Sequence, residues 1–256
     1  MTTSISLTVP TSFGDVPLSA DERGAGRPIV ILHGGAGPAS VGGFADLLAE
    51  ATGSRVIVPV HPGFGGTPRP DALTSVNGLA EVYAALLDAL ELDDATVIGN
   101  SIGGWITAEL ALRHPARLGR IVVVDGVGIE VDGHPVTADL APTQLAAYSW
   151  YDPSKAPSLD PSRLPPAAQE IFAGNRAALA VYGGAMTDPT LRERLAGIDV
   201  PALVVWGEAD RIADPAYGQA FAAAIPGARF ELLARTGHVP QMEAPDVLLA
   251  ALTDFV

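Results

Sequence analysis

Residues 97–104 read Val97-Ile98-Gly99-Asn100-Ser101-Ile102-Gly103-Gly104, a β-branched run that stops at a serine fenced by glycines and passes straight into the helical pattern Gly103 to Arg113. The glycines at 99 and 103 stand where a strand doubling directly into a helix leaves no room for side chains. Ser101 therefore occupies a junction with almost no loop. Either it caps the helix, or it is presented there for chemistry.

Working outward, short β-branched runs alternate with helix-period segments. The runs are Pro28 to Leu32, Arg55 to Val60, Thr96 to Gly99, Arg120 to Asp125, Ala202 to Trp206 and Arg229 to Leu233. Several are apolar without alternation, as strands buried on both faces are. Between them the 3.6-residue period marks Gly43 to Ala51, Gly78 to Leu90, Gly103 to Arg113 and Tyr217 to Ala224, and Ala244 to Phe255 closes the chain. The predicted fold is α/β: a mostly parallel central sheet flanked by helices. Ile5 to Val9 and Val16 to Ser19, joined by a turn at Gly14-Asp15, predict an antiparallel edge hairpin. The long stretch between Asp125 and Ala202 exceeds what one crossover needs. It predicts a small helical lid at 129–189 inserted into a core of 1–128 and 190–256, with Tyr148, Trp150, Tyr151, Phe172, Tyr182 and Met186 on the lid.

Composition narrows the function. The 256 residues carry 48% hydrophobic and 17% charged residues at a mean hydropathy of +0.29, enough for a sizeable core. Twenty-nine acidic against 15 basic residues give a formal charge of −14, a field that repels nucleic acid and anionic lipid. Cysteine is absent, which removes disulfides, thiolate metal sites and a cysteine nucleophile. No basic, apolar leader and no run of roughly 18 apolar residues is present, so a cytoplasmic protein acting on a small molecule is expected. The histidines do not cluster at ligand spacing, no H-E-x-x-H occurs, and the glycines of His33 to Pro38 have neither G-x-G-x-x-G spacing nor a P-loop lysine. No metal and no cofactor is expected.

A serine hydroxyl attacks a carbonyl only with a base to take its proton and a carboxylate to orient that base. Asp210 ends LVVWGEAD and His238 ends LLARTGH, each at the carboxyl end of a predicted strand, as Ser101 is. Asp125 also lies at a strand end and is the rival acid, with Glu208 third; Asp210 could equally cap the next helix. His33, His61, His114 and His134 sit in a glycine loop, a turn, a helix end and the insertion. The loop His33-Gly34-Gly35-Ala36-Gly37-Pro38 offers bare backbone N–H groups, so Gly35 or Ala36, with the N–H of Ile102, would form an oxyanion hole.

In order, HGGAGP, HPGFGGT, GNSIGG, WGEADR and GHVPQMEAP make the chain resemble the α/β-hydrolase superfamily, in its branch of capped serine esterases and carbon–carbon bond hydrolases. The resemblance implies the α/β-hydrolase fold with a lid, and Ser101, Asp210 and His238 as nucleophile, acid and base. Dehalogenases and epoxide hydrolases of that branch carry aspartate where Ser101 stands, so their route is excluded. GNSIGG is similar to the GNSMGG of the meta-cleavage-product hydrolases, with Ile102 for methionine. That group has a tryptophan after the histidine, where this chain has Val239, and a lid arginine that only Arg163 or Arg176 could match. The expected activity is hydrolysis of small to medium carboxylic esters through an acyl-enzyme, with Phe64, Tyr148, Trp150 and Phe172 lining the pocket. The alternatives are a carbon–carbon bond hydrolase, lactonase or perhydrolase, or a receptor that keeps the triad.

Overall fold

The computed structural model describes residues 2–138, 140–157 and 164–256. Among these, eight strands form one sheet in the order β1-β2-β4-β3-β5-β6-β7-β8: β1 Thr3–Thr11, β2 Gly14–Arg23, β3 Pro28–Leu32, β4 Arg55–Pro59, β5 Ala95–Asn100, β6 Leu118–Val124, β7 Ala202–Gly207 and β8 Arg229–Leu233. β1 and β2 form the antiparallel edge and β3 to β8 run parallel. The hairpin is longer than its sequence pattern suggested. Its turn is Ser12-Phe13, with Thr11 paired to Gly14, so Gly14 (φ +113°) opens β2 and the turn does not fall at Gly14-Asp15.

Alternate residues of each parallel strand feed two different cores, which is why the runs read as continuously apolar. Val30, Leu32, Val97, Val123, Val204 and Trp206 face one side, packed with helices α2 (Val76–Ala89), α3 (Ile102–Ala111) and, beyond β7, a helix at Pro215–Ala224. Ile29, Ile31, Ile98, Val122, Val124 and Val205 face the other, against α1 (Ala39–Thr52) and a helix at Pro245–Leu252. Burying such strands on both faces contributes roughly 1.5–3 kcal/mol per large side chain before entropy is counted.

Between β6 and β7 the chain makes α4 (Pro142–Ser149), α5 (Pro166–Gly183) and α6 (Leu191–Arg194), with 3-10 turns at Pro153–Lys155 and Leu195–Gly197. Then follow α7 (Pro215–Ala224), α8 (Pro240–Glu243) and α9 (Pro245–Leu252). The expected helix from Ala244 to Phe255 is α9, ending at Leu252, and the short α8 precedes it as a separate turn. Pro240 and Pro245 each occupy a first helical turn, where a missing N–H is harmless, and the chain breaks at Ala244 between them.

One buried polar cluster positions the loop after β3. His33 and His61 are fully buried with ring centroids 3.7 Å apart, and Phe64 packs edge-on against both. His33 Nδ1 donates to the Gly34 carbonyl at 2.8 Å, while Nε2 accepts the His61 N–H at 3.2 Å. His61 Nε2 donates to the His33 carbonyl at 2.8 Å and Nδ1 accepts the Tyr83 hydroxyl. Each ring gives one proton and receives one, the pattern of neutral imidazole.

Burial accordingly lowers both rings below the ordinary histidine range, His61 to about 4, with the charge of His61 a further cause at His33. A folded pKa below the unfolded value means the unfolded chain binds more protons between about pH 4 and 6.5. Stability is full above that window and falls as pH drops through it. From pH 6.5 to 5, His61 alone should cost about 2 kcal/mol, with His33 adding in the same direction. Urea unfolding at the two pH values measures it; equal midpoints would refute neutral buried rings.

Candidate active site

The elbow forms because β5 runs directly into α3. Ser101 takes φ +58°, ψ −121°, outside the regions an L-residue prefers, and its side chain makes no cap hydrogen bond although it stands at the N-cap position. Capping therefore does not account for the serine. The glycine demand is steric: a Cβ on Gly99 would come within 2.0 Å of the Gly103 carbonyl, and one on Gly103 within 2.2 Å of the Leu32 carbonyl.

Asp210 and His238 meet directly. Asp210 Oδ2 accepts from His238 Nδ1 at 2.7 Å, and both side chains are buried. Asp210 Oδ1 accepts the N–H groups of Ile212 at 2.7 Å and Ala213 at 3.2 Å, fixing the carboxylate in its loop. The cap of α7 is Asp214. Glu208 is exposed and accepts from the Arg235 N–H, away from this pair.

The elbow is tied to the histidine loop by Asn100, the residue before Ser101. Its Nδ2 donates to the His238 carbonyl at 3.1 Å and to the Val124 carbonyl at 3.2 Å, and Gln241 Nε2 donates to its Oδ1 at 3.0 Å. Sequence reasoning missed both residues; their only signal was adjacency to Ser101 and His238. Glu243 was missed as well. Its carboxylate accepts from Gly237 N–H at 2.8 Å, Tyr151 N–H at 3.1 Å and Asp152 N–H at 3.0 Å, joining the β6–β7 segment to the His238 loop.

The glycine loop after β3 passes over the elbow. A Cβ on Gly34 would lie 3.1 Å from Ser101 Cβ, whereas one on Gly35 would come within 2.8 Å of Leu179 of α5, and Ala36 is exposed. Ile102 is buried and opens α3, where the first N–H groups have no acceptor within the helix. Of the expected pocket residues, Phe64 is fully buried edge-on against the two histidines, Trp150 is 8% exposed with its Cα beside Gly237, and Tyr148 and Phe172 are half-buried. Arg176 is exposed, and Arg163 lies outside the described residues.

Asp125 is fully buried behind the pair. One oxygen from it, one from Asp210 and a ring nitrogen of His238 all lie within 4.8 Å of one another. Burial first, and then the charge of Asp210, push the Asp125 carboxyl well above the ordinary carboxylate range.

A family model described as "Alpha/beta hydrolase family" matches residues 29–251. The chain is 28% identical to the 2-hydroxy-6-oxo-2,4-heptadienoate hydrolase of Pseudomonas putida, over 95% of this chain and 94% of that protein. Among solved structures, the meta-cleavage product hydrolase CumD of Pseudomonas fluorescens IP01 is 25% identical, with a TM-score of 0.75 over 98% of this chain and 97% of CumD. A thermophilic esterase from Thermogutta terrifontis is 22% identical and shares the fold, with a TM-score of 0.76 over 98% of this chain and 97% of the esterase. The family match over residues 29–251, which takes in the parallel strands from β3 to β8, makes this chain, with its strand order and the sharp turn at Ser101, a member of the alpha/beta hydrolase family.

Proposed function

We propose that the chain is a serine hydrolase that cleaves a carbon–carbon bond beside a ketone carbonyl in a small molecule, with Ser101 as nucleophile, His238 as base and Asp210 as the acid that orients it. The Asp210–His238 hydrogen bond of 2.7 Å supports the reaction type, together with a serine held at positive φ whose neighbour Asn100 donates to the His238 carbonyl. The bond type rests on the full-length relative named for a 6-oxo-dienoate, a reading that the expected ester specificity ranked second.

In this reaction Ser101 Oγ attacks the ketone carbon as its proton passes to His238. Backbone N–H groups of Ile102 and of Gly35 or Ala36 receive the oxyanion. The tetrahedral adduct collapses with the carbon–carbon bond, the leaving carbon takes the proton from His238, and water hydrolyses the acyl-enzyme by the same relay. Residues 129–189 serve as a lid on the core of 1–128 and 190–256. Support comes from Leu179 over Gly35, from Asn175 Oδ1 accepting the Gly65 N–H at 2.8 Å, and from the Ser149 carbonyl accepting the His238 N–H at 2.8 Å. Tyr148, Trp150 and Phe172 belong to that lid and Phe64 to the wall beneath it.

A carboxylic ester is the second reading. It is favoured by Val239 in the place after the histidine and by Arg176 lying exposed on α5, where neither supplies the contacts that a dienoate carboxylate would use.

Ser101→Ala should abolish turnover, a loss of about 10⁴-fold or more, while the melting temperature stays near that of the wild type. Activity retained by a clean Ser101→Ala preparation would sink the mechanism. Wild-type and variant enzyme should also be compared on a 2-hydroxy-6-oxo-dienoate, on p-nitrophenyl esters from acetate to decanoate, and on a lactone. The carbon–carbon reading expects the highest kcat/KM on the dienoate. Ester turnover exceeding it by about 100-fold, roughly 2.7 kcal/mol of transition-state preference, would transfer the assignment to the second reading.

A further inference from the structure

Asp125 is a second buried carboxyl that the reaction above does not employ. It follows β6 at φ +47° and its Oδ1 accepts the Gly207 N–H at 2.7 Å, clamping the ends of β6 and β7 together. That clamp needs only one acceptor. The other oxygen, Oδ2, is buried and has no hydrogen-bond partner among the described residues, yet it belongs to a side chain within 4.8 Å of the Asp210–His238 pair. A charged oxygen left without a donor beside a second carboxylate is a costly arrangement, and one proton resolves it.

The hydrogen bonds say where that proton sits. Asp210 accepts three donors, the N–H groups of Ile212 and Ala213 and His238 Nδ1, so its charge is well solvated by the protein. Asp125 accepts one. The titratable groups facing Asp125 are Asp210 from the loop after β7, His238 from the loop after β8 and, as a weaker influence, Glu243 of α8; the two carboxylates among them both oppose ionisation of Asp125. We propose that Asp125 is a neutral carboxylic acid whose Oδ2–H donates to the Asp210 carboxylate, making it a positioning residue that holds Asp210 against His238. The proposal rests on the triad reading, though not on whether the substrate is a ketone or an ester.

The pair then carries one negative charge and one proton, and His238 faces a single anion. Neutral burial is a known device for keeping a carboxyl as a donor near neutral pH. Asp125→Asn keeps the acceptor for Gly207 and places an N–H where the O–H was, whereas Asp125→Leu removes both.

The first test is infrared difference spectroscopy at pH 7 on Asp125→Asn against wild type. The expected result is a C=O stretch of a protonated carboxylic acid present in the wild type and missing in the variant; no such band would overturn the proposal. This readout does not depend on turnover, so it stands even if Ser101→Ala shows the triad reading to be wrong. The second test is the pH profile of kcat/KM with p-nitrophenyl acetate. Asp125→Asn should stay within about three-fold of wild type with its acid limb in place, and Asp125→Leu should lose about ten-fold or more in kcat with KM little changed. An acid limb moved to lower pH in Asp125→Asn would mean that a real charge beside His238 had been removed, and would overturn the proposal. Should Asp125→Leu fail to fold, the Asn variant and the infrared band still decide.

Discussion

The site depends on the close packing of the β5–α3 turn against the carboxyl end of β3. Main chain meets main chain there: Gly103 against the Leu32 and His33 carbonyls, Gly99 against Gly103, and Gly104 against the Cα of Gly126. Any side chain at these positions would push α3 off the sheet, and with it the buried Ile106 and Leu110 that fill the core beneath α2. The same closeness leaves Ser101 in a conformation a serine would otherwise avoid, held by Ser101 N–H to the Val124 carbonyl at 3.0 Å and by its own carbonyl receiving Gly104 and Val127. The strain is local, and the packing of three strands and one helix offsets it.

Around that turn the site is assembled from polar groups that bridge loops rather than from side chains on one element. Asn100 reaches the His238 carbonyl, Gln241 reaches Asn100, and Glu243 collects three N–H groups from two segments. The Asn100, His238 and Gln241 groups are buried, and leaving any of them unpaired would cost about 1–3 kcal/mol. The result is a histidine whose main chain and ring are both fixed, the preorganisation that proton relay requires.

The sequence pattern reached some of this and stopped at identifiable places. Pro28–Leu32 and Arg229–Leu233 coincide with β3 and β8, and the other parallel strands lie within two residues of their β-branched runs, since burial on both faces writes itself into composition. The hairpin turn was misplaced by its glycine, which supplies positive φ to the start of β2 instead of to the turn itself. The Asp210–His238 pairing and the sharp turn at Ser101 were legible because chain order and strand ends are properties of the sequence. Asn100, Gln241 and Glu243 were not, because amides and carboxylates that bond to distant backbone leave no spacing to read. Asp125 was visible as a strand-end acid, but its nearness to Asp210 depends on how β6 and β7 pair.

The His238 N–H is held by the carbonyl of Ser149, at the end of α4, and α5 is bonded to the other side of the site through Asn175 to Gly65 and through the Tyr182 hydroxyl to the Pro62 carbonyl. The segment between β6 and β7 is therefore stitched through α4 and α5 to the sheet edge that carries Ser101 and His238, at the His238 peptide on one side. Exchanging it for the corresponding segment of a relative would remove a hydrogen bond from the histidine itself. A chimera that changes only substrate preference would have to keep Tyr148 to Asp152 and the Asn175–Tyr182 stretch from this chain and draw its foreign residues from between them.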